Sequence, residues 1–257
     1  VKMFHFVLVA TLVACASAST LRRRVPQLDG RIVGGNSVDI SDYPYQIFLQ
    51  RYGSHICGGS VISEDFVVTA AHCTYGSSAT TLSVRADFSV RGSGGSVVQV
   101  TAINQHPSFD YWNHDNDISV LRLASALNLS EAIAPIGLPS ENQEFEAGTT
   151  AVVSGWGTTS QGGSSSLQLQ AVEVPLVSNS ECQSAYGTYE ITDQMLCAGI
   201  EGGGKDACQD DSGGPLVVDG VLVGIVSWGI GCAEPEYLGV YSSVPALRSY
   251  ISEVSGI

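Results

Sequence analysis

The chain has 257 residues with 25 acidic and 11 basic groups, a formal net charge of −14. That length can bury a substantial core as one large domain or two fused barrels, and the acidity argues against nucleic acid as a partner. At the N-terminal end, Met3 to Val13 is almost wholly apolar and Ala16-Ser17-Ala18 follows, the pattern of a signal peptide spanning residues 1–18 and cut after Ala18. The apolar run is shorter than the about 20 residues that span a bilayer, so secretion to the extracellular space is expected, with no membrane association. Next comes a basic stretch, 19–31, containing Arg22-Arg23-Arg24 and ending Asp29-Gly30-Arg31 ahead of Ile32-Val33-Gly34-Gly35. Residues 1–31 hold five basic groups and one acid, which leaves six basic and 24 acidic groups in the remainder, a charge of −18.

The rest reads as short strands. Runs rich in β-branched or aromatic residues predict strands at Tyr45–Gln50, Phe66–Ala70, Val97–Ile103, Ile118–Leu123, Thr150–Ser154, Leu169–Val174, Leu216–Val218, Val221–Trp228 and Gly239–Val244. Asp219-Gly220 between two of them is a strong hairpin signal. Only the C-terminal end is clearly helical, with Leu247, Tyr250, Ile251 and Val254 at helical spacing after Pro245. Many strands and few helices predict an all-β fold of barrels or sandwiches. The glycine- and serine-rich stretches at 92–96 and 161–166 read as flexible surface loops, and Asn128-Leu129-Ser130 is a glycosylation acceptor pattern of low specificity.

Three motifs carry chemistry: Ala70-Ala71-His72-Cys73, Asn116-Asp117-Ile118, and Asp206-Ala207-Cys208-Gln209-Asp210-Asp211-Ser212-Gly213-Gly214-Pro215. A serine hydroxyl is a poor nucleophile near neutral pH, so a histidine must take its proton and later return it to the leaving group. A buried carboxylate must hold that imidazole in one tautomer and stabilise its cation. Singly, each motif has an ordinary structural explanation. Together, in the order His, Asp, Ser, they resemble the chymotrypsin-like serine proteases, the trypsins most closely.

That resemblance implies two six-stranded antiparallel β-barrels with a C-terminal helix and a site in the cleft between them. His72 and Asp117 would come from the first barrel and Ser212 from the second, as the catalytic residues. The backbone N–H groups of Asp210 and Ser212 would form the oxyanion hole. Asp206 would lie at the floor of the primary pocket and select Arg or Lys substrates, between walls at Gly229 and Gly239, with Gln209, Ser227 and Trp228 also binding substrate. Trp112 and His114 fall where the family builds the subsites just before the scissile bond. Ile32 to Gly35 looks like the family's mature start. Cleavage of Arg31-Ile32 would free an ammonium to pair with Asp211, making 19–31 an activation propeptide and 32–257 the protease domain. Because this bond itself follows an arginine, self-activation is expected.

Cys15 leaves with the signal peptide, and the six remaining cysteines permit 15 pairings. The resemblance implies Cys57 with Cys73, Cys182 with Cys197 and Cys208 with Cys232. Each would close a loop of about 15 to 25 residues, valued at roughly 3 kcal/mol.

The chain departs from the family at Asp210, where glycine is nearly invariant. A carboxylate about 6 Å from an oxyanion would cost roughly 0.7 kcal/mol in water-like surroundings and about 2.8 kcal/mol at an effective dielectric of 20, a threefold to hundredfold loss. The side chain would also obstruct the leaving-group side. Leu238 stands where trypsins often have proline. Between Arg85 and Ser96 the acidic run with which vertebrate trypsins bind calcium is missing, and Asp87 alone cannot supply six to eight oxygens, so no metal and no cofactor is expected. The expected protein is a secreted monomer, made as a zymogen, acting on proteins and peptides and open to protein inhibitors, with a digestive role of the invertebrate type. The alternatives are a selective activating protease of a defence or clotting cascade, and a protease-fold binding protein disabled by Asp210.

Overall fold

The structure, a computed structural model, describes residues 35–158, 163–208 and 210–257. Expectations on the signal peptide, the propeptide, Arg31, Ile32 and Gln209 therefore lie outside the described residues.

Alternating apolar side chains draw the strands into two closed barrels. β1 is short (Asn36–Ser37) and pairs on the outside of the second barrel. The first barrel comprises β2 (Gln46–Arg51), β3 (Ser54–Val61), β4 (Phe66–Thr69), β5 (Leu82–Ala86), β6 (Ser96–Gln105) and β7 (Ser119–Leu123), closed in the order β2-β3-β4-β7-β6-β5. The second comprises β8 (Thr150–Gly155), β9 (Gln170–Val177), β10 (Met195–Ala198), β11 (Pro215–Val218), β12 (Val221–Trp228) and β13 (Gly239–Ser243). They run β9-β10-β13-β12-β11-β8, and β8 pairs back onto β9. All pairings between these strands are antiparallel. Asp219 and Gly220 both have positive φ, 47° and 77°, as a two-residue turn matching the strand twist requires.

The helices are α1 (Ala71–Thr74), α2 (Asn179–Tyr186) and α3 (Arg248–Ser255). The foreseen face of α3 holds: Tyr250 and Ile251, with Leu247 just before the helix, join the core of the first barrel, and Val254 packs against it. The two barrels meet over an aromatic seam in which Phe48 and Phe88 of the first contact Trp156 of the second, with Phe48–Trp156 and Phe88–Trp156 centroids 4.4 and 4.6 Å apart. Trp156 Nε1 donates to Ser89 O at 2.9 Å, so the seam is also satisfied polar-wise.

Two implied disulfides are formed, Cys57–Cys73 joining β3 to α1 and Cys182–Cys197 joining α2 to β10. The third implied pair, Cys208 and Cys232, stays an expectation: both residues are buried, and Cys208 Sγ accepts Thr158 Oγ1–H at 3.4 Å. In the described part of the 161–166 loop, Gly163 and Ser164 lie exposed at the surface, and Ser165 bridges to Thr158 and donates its hydroxyl to the Asp210 carboxylate.

Candidate active site

His72 stands on the one-turn helix α1 directly after β4, and so brief a helix cannot hold itself. Its carbonyls are instead held from outside: Gln105 Nε2 donates to Ala71 O at 2.9 Å, and Arg51 Nη2 to Cys73 O at 3.2 Å. Asp117, just before β7, is wholly buried. Its Oδ1 accepts the backbone N–H of His72 at 2.8 Å, and Oδ2 accepts His72 Nδ1–H at 2.7 Å and the Ser227 hydroxyl at 2.5 Å. Ser242 Oγ donates to the Asp117 carbonyl at 2.7 Å. Burial pushes the Asp117 carboxyl up, but the neighbouring His72 charge and the bonds from His72 and Ser227 outweigh it and hold the pKa below its ordinary value. The imidazole is thereby fixed with Nδ1 as donor and Nε2 free to take a proton.

Ser212 lies in the turn before β11, and glycines let that turn press against the first barrel. Gly58 N on β3 donates to Ser212 O at 2.8 Å. A Cβ on Gly58 would come within 3.0 Å of Gly214 Cα, and one on Gly213, whose φ is +80°, would collide with Thr69 Oγ1 and crowd Ala70 N. The nucleophile turn is thus seated on the strand end that leads into His72. Among the described residues no hydrogen bond joins Ser212 Oγ to His72 Nε2, which lies 3.4 Å from Cys73 Sγ; such alignments commonly tighten only with substrate.

Asp210 has φ +73°, the glycine-favouring region that Asp tolerates better than most residues. Its charge is met by two neighbours. The carboxylate accepts the Ser165 hydroxyl and faces Arg91 Nη1 at 3.7 Å, while the Asp210 carbonyl accepts His55 Nε2–H at 3.0 Å. Burial lowers the His55 pKa to about 4, leaving it neutral and suited to this role.

On the opposite wall Asp206 is 7% exposed, with Oδ2 accepting Ala233 N–H at 3.2 Å and Oδ1 without a partner among the described residues. Burial raises its pKa to about 6, against the backbone bonds from Ala233 and Ala207 that favour its charge. It lines a pocket with Ser227, Trp228, Gly229, Gly239 and Tyr241. A Cβ on Gly239 would lie 2.6 Å from Asp206 Oδ1, so glycine is required there, whereas one on Gly229 would meet nothing nearer than Tyr186 Oη at 3.7 Å. Tyr186 Oη donates to Leu238 O, which ties the loop at Leu238 to α2. Among the described residues, Asp211, 1% exposed, accepts only Gly157 N–H at 2.8 Å and Cys208 N–H at 3.2 Å, and burial pushes its pKa to about 8.

The trypsin family model matches residues 32–251. This chain belongs to the trypsin family. Trypsin beta of Drosophila erecta is 51% identical over 253 residues, covering 97% of this chain and 98% of that protein. Trypsin delta of Drosophila melanogaster is 49% identical over 254 residues, and Trypsin 5G1 of Aedes aegypti 44% over 261, with coverage of 97% or more on both sides. Family membership makes the chain a serine endopeptidase. No described helix is long and apolar enough to cross a membrane.

Sequence reasoning missed several residues here. Ser227 lines the pocket with Asp206 and its hydroxyl also supports Asp117, a second contact the sequence did not show. Ser242, Arg91, Ser165 and His55 carried no sequence signal, because only the fold brings them near. His114 is buried at 6% exposure with its ring 6.0 Å from that of His72, and Trp112 is 75% exposed.

Proposed function

We propose that this chain is the precursor of a secreted, digestive trypsin-like endopeptidase that cuts after Arg and Lys and is activated by cleavage of Arg31-Ile32. In this reading His72 takes the proton of Ser212 as its oxygen attacks the scissile carbonyl, Asp117 stabilises the resulting imidazolium, and His72 gives the proton to the leaving amine. The N–H groups of Asp210 and Ser212 receive the oxyanion. Water then enters in place of the amine and the same base releases the acid.

The observation that carries the specificity is the unpartnered Oδ1 of buried Asp206 inside a glycine-walled pocket. Such a carboxylate gains most from a cation that reaches it with its own donors, as a guanidinium or ammonium does. The same logic supports activation, since Asp211 is buried with two backbone donors and no cation among the described residues. The ammonium of a freed Ile32 would supply one. The test is active-site titration with a serine-directed organophosphate on protein cleaved at Arg31 and on intact protein, followed by hydrolysis of paired Arg and Phe peptides. Near-stoichiometric labelling only after cleavage, with strong preference for Arg, is the expected result; equal labelling of both forms removes the zymogen, and equal rates on both peptides remove the specificity.

A further inference from the structure

We propose that His72 and His114 form a binding site for a borderline transition-metal cation such as Zn²⁺, with the carboxylate of Asp117 supporting His72 from its far side, and that the cation holds the protease inactive while bound. This rests on the reading of His72 as the general base, and adds a regulatory ligand to it. One ligand atom from each of the three residues lies within 4.8 Å of the others. The two imidazoles meet edge to face, their centroids 6.0 Å apart and their planes at 83°. Two nitrogens on one tetrahedral zinc, each at about 2.0–2.1 Å, stand about 3.3 Å apart, a separation the two rings would reach by rotation.

His114 is set for this by its loop. Its backbone adopts φ 55°, in the region non-glycine residues rarely occupy. The loop is braced by Asp110, whose carboxylate accepts Trp112 N–H and Asn113 Nδ2–H, both at 2.8 Å, and by the bridge between Asp110 and Asp115. The ring is therefore placed by backbone geometry, and its Nδ1 is buried without a hydrogen-bond partner among the described residues. A buried imidazole nitrogen left open beside a second imidazole is an unusual expense for a purely packing residue. The bond from His72 Nδ1 to Asp117 Oδ2 at 2.7 Å supplies the carboxylate–histidine support that metal-binding imidazoles typically have. Imidazole donors favour Zn²⁺ or Cu²⁺ over Ca²⁺ or Mg²⁺. The neighbouring group of Cys57, His72 and Cys73 is no rival, because both sulfurs are spent in a disulfide.

Inhibition follows from the chemistry of one lone pair. A metal on Nε2 of His72 occupies the electrons that would take the Ser212 proton, while Nδ1 keeps its bond to Asp117. Metal and proton then compete for the same base.

The test uses chelator-stripped protein cleaved at Arg31. Zn²⁺ is titrated through the micromolar range against hydrolysis of an Arg peptide, each variant being compared with its own metal-free rate. The expected result is inhibition reversed by chelator, no inhibition by Mg²⁺, and a shift of about tenfold or more to higher Zn²⁺ in His114→Leu. His114→Asn serves in its place should the Leu variant not fold. Calorimetry of Zn²⁺ on the Ser212→Ala protein reads the site independently of catalysis, so a failure of the protease reading leaves this result interpretable. One site per chain, lost when His114→Leu is added, is expected. Equal Zn²⁺ sensitivity with and without His114, or no Zn²⁺ binding to the Ser212→Ala protein, overturns the proposal.

Discussion

On the first-barrel side of the cleft, Asp117 is wholly buried and yet complete: three hydrogen bonds reach its carboxylate, and His72 stands ready to share its charge. On the second-barrel side, Asp206 and Asp211 are buried nearly as deeply but, among the described residues, are held only by backbone N–H groups, and burial lifts their pKa values to about 6 and about 8. A buried carboxylate without a cation shifts toward its neutral form. The contrast separates two kinds of readiness. The pair of His72 and Asp117 is assembled by the fold alone, whereas the proposed specificity and activation sites at Asp206 and Asp211 would each be completed by a cation.

The largest expected effect breaks the second wall at Asp206. Asp206→Asn keeps the volume and removes the charge, and losing one partner of a buried charge pair costs about 2–5 kcal/mol. Hydrolysis of Arg peptides should fall by about 30-fold to several thousand-fold in kcat/KM, with Phe peptides little changed; an equal fall for both would mean that Asp206 serves structure and not selection. Next is Asp211→Asn. After cleavage at Arg31 its kcat should be lower by about 10²- to 10³-fold, the cost of a misplaced oxyanion donor, measured against titrated active sites. A thermal-melt series sharpens this point. Because the folded pKa of Asp211 lies above its ordinary 3.8, the folded uncleaved chain binds more protons than the unfolded one between about pH 4 and 8, so this residue's contribution to stability falls as pH rises through that window. Pairing with an ammonium reverses the sign, and the cleaved form should lack that decline.

Much of this was legible in the sequence because it rests on local signals. The hairpin at Asp219-Gly220, the apolar face of α3 and nine of the strands followed from turn chemistry and periodicity. The misses have identifiable causes. β3 contains Gly58 and Gly59, poor strand formers kept because the nucleophile turn and Ile47 leave no room for a Cβ. α2 carries few apolar residues; its signal was the capping pair Ser178 and Glu181, with Ser178 Oγ accepting Glu181 N–H at 3.3 Å. α1 has no helical pattern because tertiary bonds hold it. In the site, motif residues were found and their supports were not, since Ser227 reaches Asp117 across 110 positions of chain.

Smaller changes probe the pocket itself. Gly239→Ala would set a methyl group 2.6 Å from Asp206 Oδ1, and overpacking of about 1–3 kcal/mol should weaken benzamidine binding by about 5- to 150-fold. In the unaltered enzyme, benzamidine pairs with ionised Asp206, so its inhibition constant should rise about tenfold per pH unit below about 6 and level off above it. A flat profile from pH 5 to 8 would mean that the pocket floor is already ionised, and the contrast between the walls would shrink to Asp211.

The smallest expected effect concerns Asp210. Its carboxylate is drawn toward Arg91 and Ser165, and the ion pair is 28% and 40% exposed on its two sides, where solvent screening limits such pairs to about 0–1 kcal/mol. Asp210→Gly should therefore change kcat by no more than about fivefold, well short of a hundredfold. Arg91→Ala should lower kcat by a similar factor, because it releases a negative charge beside the oxyanion donors. That effect should vanish when Asp210→Gly is present, as the charge to be restrained is then gone. Measured as a double-mutant cycle at low and high salt, the coupling should be present in the first and weakened in the second. Independent effects of the two substitutions would mean that Asp210 acts on the oxyanion through its backbone alone, and that Arg91 has no part in making this side chain tolerable at a glycine-favouring position.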